Sequence, residues 1–326
     1  MKYIELFEKK TEFKKEPLTY NDIMGRLLHI YGSIPVPKQK SSSVIKKILW
    51  DNFHKIGDRP SPFYKIGKDI DLEYQSDQDK VRFVDYFDSL LTNKEIRGHN
   101  FEGFIAAVYN GQLSEQMDSR YDVIIKDKTW SIKFVNGPME SPEIGSFKDS
   151  LSYNNLFNSE IDMFNLKKLV QSEGGLVQMF QKADRDIRKS VWEKVISKDI
   201  TGGWMIAYPI KNNTQIVVSV INLLTMRKLL YSGLATVPKG GSENLFSLRI
   251  SSKYKNFPGV KNFIINIPKL TLEELKKIYL SEDEENWSRE IFGKYGSKIR
   301  PDVLRYIKSN PQEVAARLSR YNDFRN

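Results

Sequence analysis

The sequence predicts an α/β protein, with a mixed sheet in the middle of the chain flanked by helices and helical extensions at both ends. Three observations carry that expectation. Apolar residues recur at helical spacing near both termini. Two pairs of apolar, β-branched runs in the middle are each separated by only a few residues. A hydrophobic fraction of 40% with 28% charged residues is that of a chain that buries a core.

Taken in order, Pro17 to Tyr31 and Ser43 to Ile56 carry helical periodicity on either side of the loop IPVPKQKSSS, so residues 1–57 read as a helical arm or cap. A short extended piece follows near Phe63 to Ile66. Asp77 to Leu91 then predicts a helix with a broad apolar stripe of Val81, Phe83, Val84, Phe87, Leu90 and Leu91. A second helix is expected over Asn100 to Tyr109, stopped by Asn110-Gly111. The runs RYDVIIKD and TWSIKFV, rich in β-branched and aromatic residues, predict a hairpin.

From Leu156 to Asp199 the pattern is helical again, interrupted at Gly174-Gly175, and its second half is decorated with cations. GWMIAYPI and TQIVVSVI form a second apolar hairpin around Lys211 to Asn213. A short helix at Leu223 to Tyr231 and strands at Phe246 to Ile250 and Asn262 to Ile267 come next, and residues 271–326 return to helix. The expected division is a helical cap over 1–57, a core over 58–222 and a mixed, then helical, basic region over 223–326.

Composition excludes several chemistries. With no cysteine, disulfides, thiolate zinc sites and thiol nucleophiles are impossible, and three scattered histidines do not make a histidine-rich metal cage. Any metal is therefore a hard cation held by oxygen. No apolar run approaches membrane-spanning length, and the first residues are charged where a signal peptide needs an apolar block, so no membrane partner and a cytoplasmic location are expected. A net charge of +10 favours polyanions through counterion release, although solubility alone explains it equally well.

Pairing the first hairpin around Asp127-Lys128 sets Asp122 opposite Lys133 and Ile124 opposite Ser131. One face then carries charge, while Val123, Ile125, Trp130 and Ile132 make the other face apolar. Such a pair on its own is an ordinary surface ion pair worth about 0–1 kcal/mol.

The order of helix with Glu102, strand opening on Tyr121-Asp122, strand Ser131-Ile132-Lys133, then helix and the strand from Trp204 to Pro209, resembles the αβββαβ core of the PD-(D/E)XK, or restriction-endonuclease-like, nucleases. The resemblance spans about residues 95–210. It implies Mg²⁺-dependent hydrolysis of DNA phosphodiesters, with Mn²⁺ as a substitute. Asp122 would be a metal ligand, the Ile132 carbonyl a backbone ligand, Lys133 the lysine that orients water, and Glu102 the helix carboxylate.

Ser131 departs from the family pattern, standing where an acidic residue is usual, and Glu140 or Glu143 are candidates to return the missing carboxylate. Position 131 is expected to tolerate Ser131→Glu. A non-catalytic, DNA-associated or structural role that retains the fold, as in a component of a phage or other viral particle, is the alternative. Family analogy also implies a homodimer, and a viral chain would reside in host cytoplasm or virion.

Two further groups bear on nucleic acid. Lys182, Arg185, Arg188 and Lys189 form a basic helical face, which is either a solvated surface or a phosphate-contacting one. Tyr254, Phe257, Tyr295, Tyr306 and Tyr321 lie among cations, and more of them are expected in the core than as base-stacking platforms. The Gly-Gly pairs at 174, 202 and 240 match no nucleotide-binding loop and read as turns.

Overall fold

A computed structural model describes residues 19–32, 65–74, 76–92, 97–114, 120–146, 170–182, 185–210, 214–236 and 247–271. The elements in chain order are α1 (Tyr20–Gly32), β1 (Ile70–Asp71), α2 (Asp77–Thr92), α3 (Arg97–Tyr109), β2 (Gln112–Leu113), β3 (Val123–Ile125), β4 (Lys128–Phe134) and β5 (Glu143–Ser146). They continue with α4 (Leu176–Lys182), α5 (Arg185–Val191), β6 (Gly203–Ile210), β7 (Gln215–Ile221), α6 (Leu223–Leu229), β8 (Ala235–Thr236), β9 (Ser247–Ile250) and β10 (Lys261–Asn266). Helices α5 and α6 each run on into a π-helical turn, Trp192–Ile196 and Leu230–Leu234.

Seven strands form one mixed sheet in the order β1-β10-β7-β6-β4-β3-β2, and β5-β9-β8 form a second, smaller sheet. β2, β3 and β4 are an antiparallel meander, β6 lies parallel to β4, and β7 returns antiparallel to β6. Strands β6 and β7 are buried along almost their whole length because both faces of the sheet are covered there, hence their unbroken apolar sequences.

On one face Val123, Ile125, Trp130, Ile132, Met205, Ala207, Val218 and Phe263 join α1, α2 and α3 in a single core. Aromatic rings run through it, from Tyr20 against Phe83 at 4.9 Å to Phe101 against Phe134 of β4 at 5.0 Å. The opposite face, through Trp204, Ile206 and Ile221, packs against α4, α5, α6 and the small sheet.

Local signals explain where the helices begin. Thr19 and Asp22 form a reciprocal cap on α1: the Thr19 hydroxyl donates to Asp22 Oδ2 at 2.6 Å, and Asp22 N–H donates back to Thr19 Oγ1 at 3.3 Å. Ser76 accepts from Asp79 N–H at α2, and Asn222 accepts from Thr225 N–H at α6.

α1 is not part of an arm set apart from the core, because Tyr20, Ile23, Met24 and Leu27 are fully buried in it. The core also reaches past residue 222, since β10 pairs with β7. The extended piece expected near Phe63 to Ile66 appears instead as a turn at Ile66 followed by β1. Phe63, the helix expected over Ser43 to Ile56 and the C-terminal helices lie outside the described residues.

The first hairpin is registered differently from the expected pairing. Its two-residue turn is Lys126-Asp127, both at positive φ, 49° and 60°, rather than Asp127-Lys128. Val123 therefore faces Trp130 and Ile124 faces Thr129. The register differs by two residues, so the strand side chains keep their expected faces, but Asp122, one residue before β3, bonds the Trp130 carbonyl through its amide and meets Ser131 and Lys133 only through its side chain.

Candidate active site

The site begins one residue before β3. The Asp122 carbonyl still accepts from Ser114 N–H of the β2 side at 2.9 Å, and its amide donates to the Trp130 carbonyl at 2.8 Å. Its side chain then takes over from the backbone. Asp122 Oδ2 accepts from the Ile132 amide of β4 at 2.6 Å and from the Ser131 hydroxyl at 3.2 Å, and the Lys133 ammonium lies 3.5 Å away. A carboxylate that caps the end of a strand in this way is fixed in position by charge-assisted hydrogen bonds, each stronger than a neutral one.

Strand alternation places Ser131 and Lys133 on the same face of the sheet as Trp204 and Ile206, their neighbours on β6, and the Asp122 carboxylate meets them there. Ser131 is only 2% exposed. Lys133 and Asp122 retain 35% and 20% side-chain exposure, so the pair lies at the rim of the second core, reachable from solvent. The amide and carbonyl of one strand residue point to the same side, so the Ile132 carbonyl faces the edge that Asp122 occupies.

Glu102 is placed differently from the expectation. Its helix, α3, covers the opposite face of the sheet, and Glu102 is buried with its Oε2 3.0 Å from His99 Nδ1. It makes no ion pair with Lys133. The neighbouring Tyr31 phenol donates to the His99 carbonyl at 2.7 Å, and burial, with the charge of Glu102 adding to it, pushes its ionisation well above the usual tyrosine range.

Glu140 is folded back on its own loop, accepting from the Asn136 amide at 2.9 Å, and Glu143 pairs with Arg249 at 3.7 Å across the small sheet. Neither carboxylate is held by the Asp122 pair. Among the described residues no group of three or more Asp, Glu or His side chains converges as a metal cluster.

The donors at the Asp122 edge are thus one carboxylate, one backbone carbonyl and one buried hydroxyl. That set fits Mg²⁺ in one mode, in which one carboxylate is supplemented by waters and substrate phosphates, and fits poorly a cation that requires a full protein cage. Asp122 and the Ile132 carbonyl are the residues that would hold it.

The basic face is present on α4 and α5. Lys182, Arg185 and Lys189 are exposed, and Arg188 leans over the Tyr231 ring with its guanidinium carbon 5.4 Å from the centroid. Arg227 of α6, not singled out in the sequence, stands 5.7 Å from the same ring. Its linear signal is the i, i+4 spacing to Tyr231 in one helical run, whereas Arg188, 39 residues earlier, reaches that ring only through the packing of α5. Tyr254 is fully buried in the second core, where desolvation raises its ionisation, and is no stacking platform. His29 is exposed on α1.

No family model, curated protein or solved structure matches the chain. No described helix is long and apolar enough to cross a membrane.

Proposed function

We propose that this chain is a DNA phosphodiesterase of the PD-(D/E)XK type, working at the edge formed by Asp122, Ile132 and Lys133. The observation that carries the reading is the meeting of Asp122, just before β3, with Lys133, near the end of β4, at 3.5 Å. The arrangement around them supports it: α3, the meander β2-β3-β4, helices α4 and α5, then β6 parallel to β4 follow the αβββαβ order of that family.

In this reading Asp122 and the Ile132 carbonyl would hold one divalent cation. The cation, when bound, supplies a Lewis acid for the phosphate and acidifies a water. Lys133 holds the attacking water by hydrogen bonding and offsets charge that develops on the phosphoryl oxygens. The Ser131 hydroxyl keeps Asp122 in its rotamer. With Ser131 in place of a second carboxylate, cation affinity depends on the substrate phosphate.

The test is nicking of supercoiled plasmid in Mg²⁺, Mn²⁺ and EDTA by the wild type and Lys133→Ala. Cleavage in either metal, absent in EDTA and reduced about 10²–10⁴-fold in the variant, is expected. Equal residual nicking by both proteins would refute the assignment.

A second reading, a non-catalytic DNA-associated or structural protein on the same framework, is favoured by one observation. Asp122 Oδ2 is already occupied by three donors of its own chain, one of them the buried Ser131. Salt-dependent duplex binding without cleavage in any metal would establish that reading in place of the first.

A further inference from the structure

Tyr231 stands at the junction of three helices. Its ring packs against the buried Phe180 of α4 with centroids 6.1 Å apart, and it carries the guanidinium groups of Arg188 from α5 and Arg227 from the turn of helix that precedes it. The two guanidinium carbons lie 5.4 and 5.7 Å from one centroid, so at most about 11 Å, the sum of these, separates them. Both arginines use a ring face as their partner, and no carboxylate of the described residues pairs with either.

The Arg188 Nε is buried with no hydrogen-bond partner among the described residues, so the outer nitrogens of its guanidinium are the ones open to a ligand. Lys182, Arg185, Lys189 and Lys228 are exposed on the same three helices, with Asp186 as the acidic residue on α5.

We infer that Arg188, Tyr231 and Arg227 form a nucleic-acid phosphate clamp, in which the tyrosine ring holds two guanidinium forks ready for the backbone of a bound strand. Ring stacking removes rotamer freedom from each arginine before binding, and the planar forks match phosphate oxygens bidentately. The site is assembled from α5 and α6, two elements distinct from the strands that carry Asp122 and Lys133. It rests on the nucleic-acid part of the proposed function and is independent of whether the bond is cut.

The experiment is fluorescence anisotropy of a labelled duplex against the full-length protein in EDTA, where no metal-dependent cleavage occurs, at several salt concentrations. Arg188→Gln and Arg227→Gln should each lower the slope of log K against log salt by about 0.9. Between 50 and 200 mM salt, each variant then loses about 3.5-fold less affinity than the wild type. Arg227→Lys should keep the slope, because the charge remains. Tyr231→Ala should weaken binding at every salt concentration with the slope kept, whereas Tyr231→Phe should bind as the wild type.

Unchanged slopes in both glutamine variants, or no duplex binding by the wild type at low salt, would overturn the clamp. Failure of plasmid nicking with the slopes behaving as described removes the nuclease reading and leaves the clamp standing.

Discussion

Replacing Ser131 by glutamate puts the site's geometry to a direct test. The hairpin face alone made the change look harmless, since a carboxylate beside Lys133 gains a cation. The folded protein predicts otherwise. Ser131 is 2% exposed, neighbours Trp204 on β6 and touches Asp122 Oδ2 at 3.2 Å. A longer side chain must be accommodated in packed surroundings, at about 1–3 kcal/mol.

Its carboxylate then meets that of Asp122 at about 4 Å, a repulsion of about 4 kcal/mol at an effective dielectric of 20. Lys133, 3.5 Å from Asp122, offsets much of this. A net loss of about 2–4 kcal/mol corresponds to a fall of about 3–6 °C in Tm for a chain of this size. Thermal unfolding in EDTA measures it, and addition of Mg²⁺ should restore several degrees, because two carboxylates now bind the cation. A Tm within about a degree of the wild type in EDTA would refute the burial argument. A destabilised variant that Mg²⁺ does not restore would refute the placement of a cation at this edge.

Other expectations follow from the same contacts. Asp122→Ala should cost about 2–3 kcal/mol in chemical denaturation, since it strands the buried Ile132 amide and Ser131 hydroxyl, whereas Lys133→Ala should cost under about 1 kcal/mol. A loss of activity in the lysine variant is therefore the cleaner evidence for chemistry. Gly103→Ala should destabilise by about 2–4 kcal/mol, because its Cβ would overlap the Tyr31 hydroxyl and lie 2.6 Å from the ring carbon that bears it, forcing α1 away from α3. A melting curve unchanged from the wild type would contradict that packing.

Alkaline stability offers a pH test. Burial raises the ionisation of Tyr31, Tyr86 and Tyr254 above the ordinary value of 10.0, so above that pH the unfolded chain loses protons that the folded one keeps. Stability is complete below pH 10 and falls above it by about 1.4 kcal/mol per pH unit for each of the three. Tyr86→Phe should reduce the slope by one proton, measured by urea unfolding between pH 9 and pH 11.

Much of the fold was legible in the chain because its signals are local. The apolar stripe of Val81, Phe83, Phe87 and Leu90 marked α2, the long β-branched runs marked β6 and β7, and alternation alone put Asp122, Ser131 and Lys133 on one face. That assignment survived a register different by two residues because side-chain direction in a strand has period two. The turn itself was misplaced because Lys126 adopts a positive φ that its residue type does not advertise. Two-residue strands such as β2 and β8 carry no period to read and exist only through their partners.

What the sequence by itself determined about this protein is the alternation of helix and strand, the exclusion of thiol chemistry and the pairing of an aspartate with a lysine across a hairpin. Tertiary structure alone decided that α1 belongs to the core, that Ser131 is buried against Asp122, that Glu102 lies across the sheet from Lys133, and that Arg188 reaches the ring of Tyr231. The physical reason is distance along the chain. Backbone periodicity and residue chemistry act over a few neighbours, whereas burial and the company a charged group keeps depend on which remote segments pack against it.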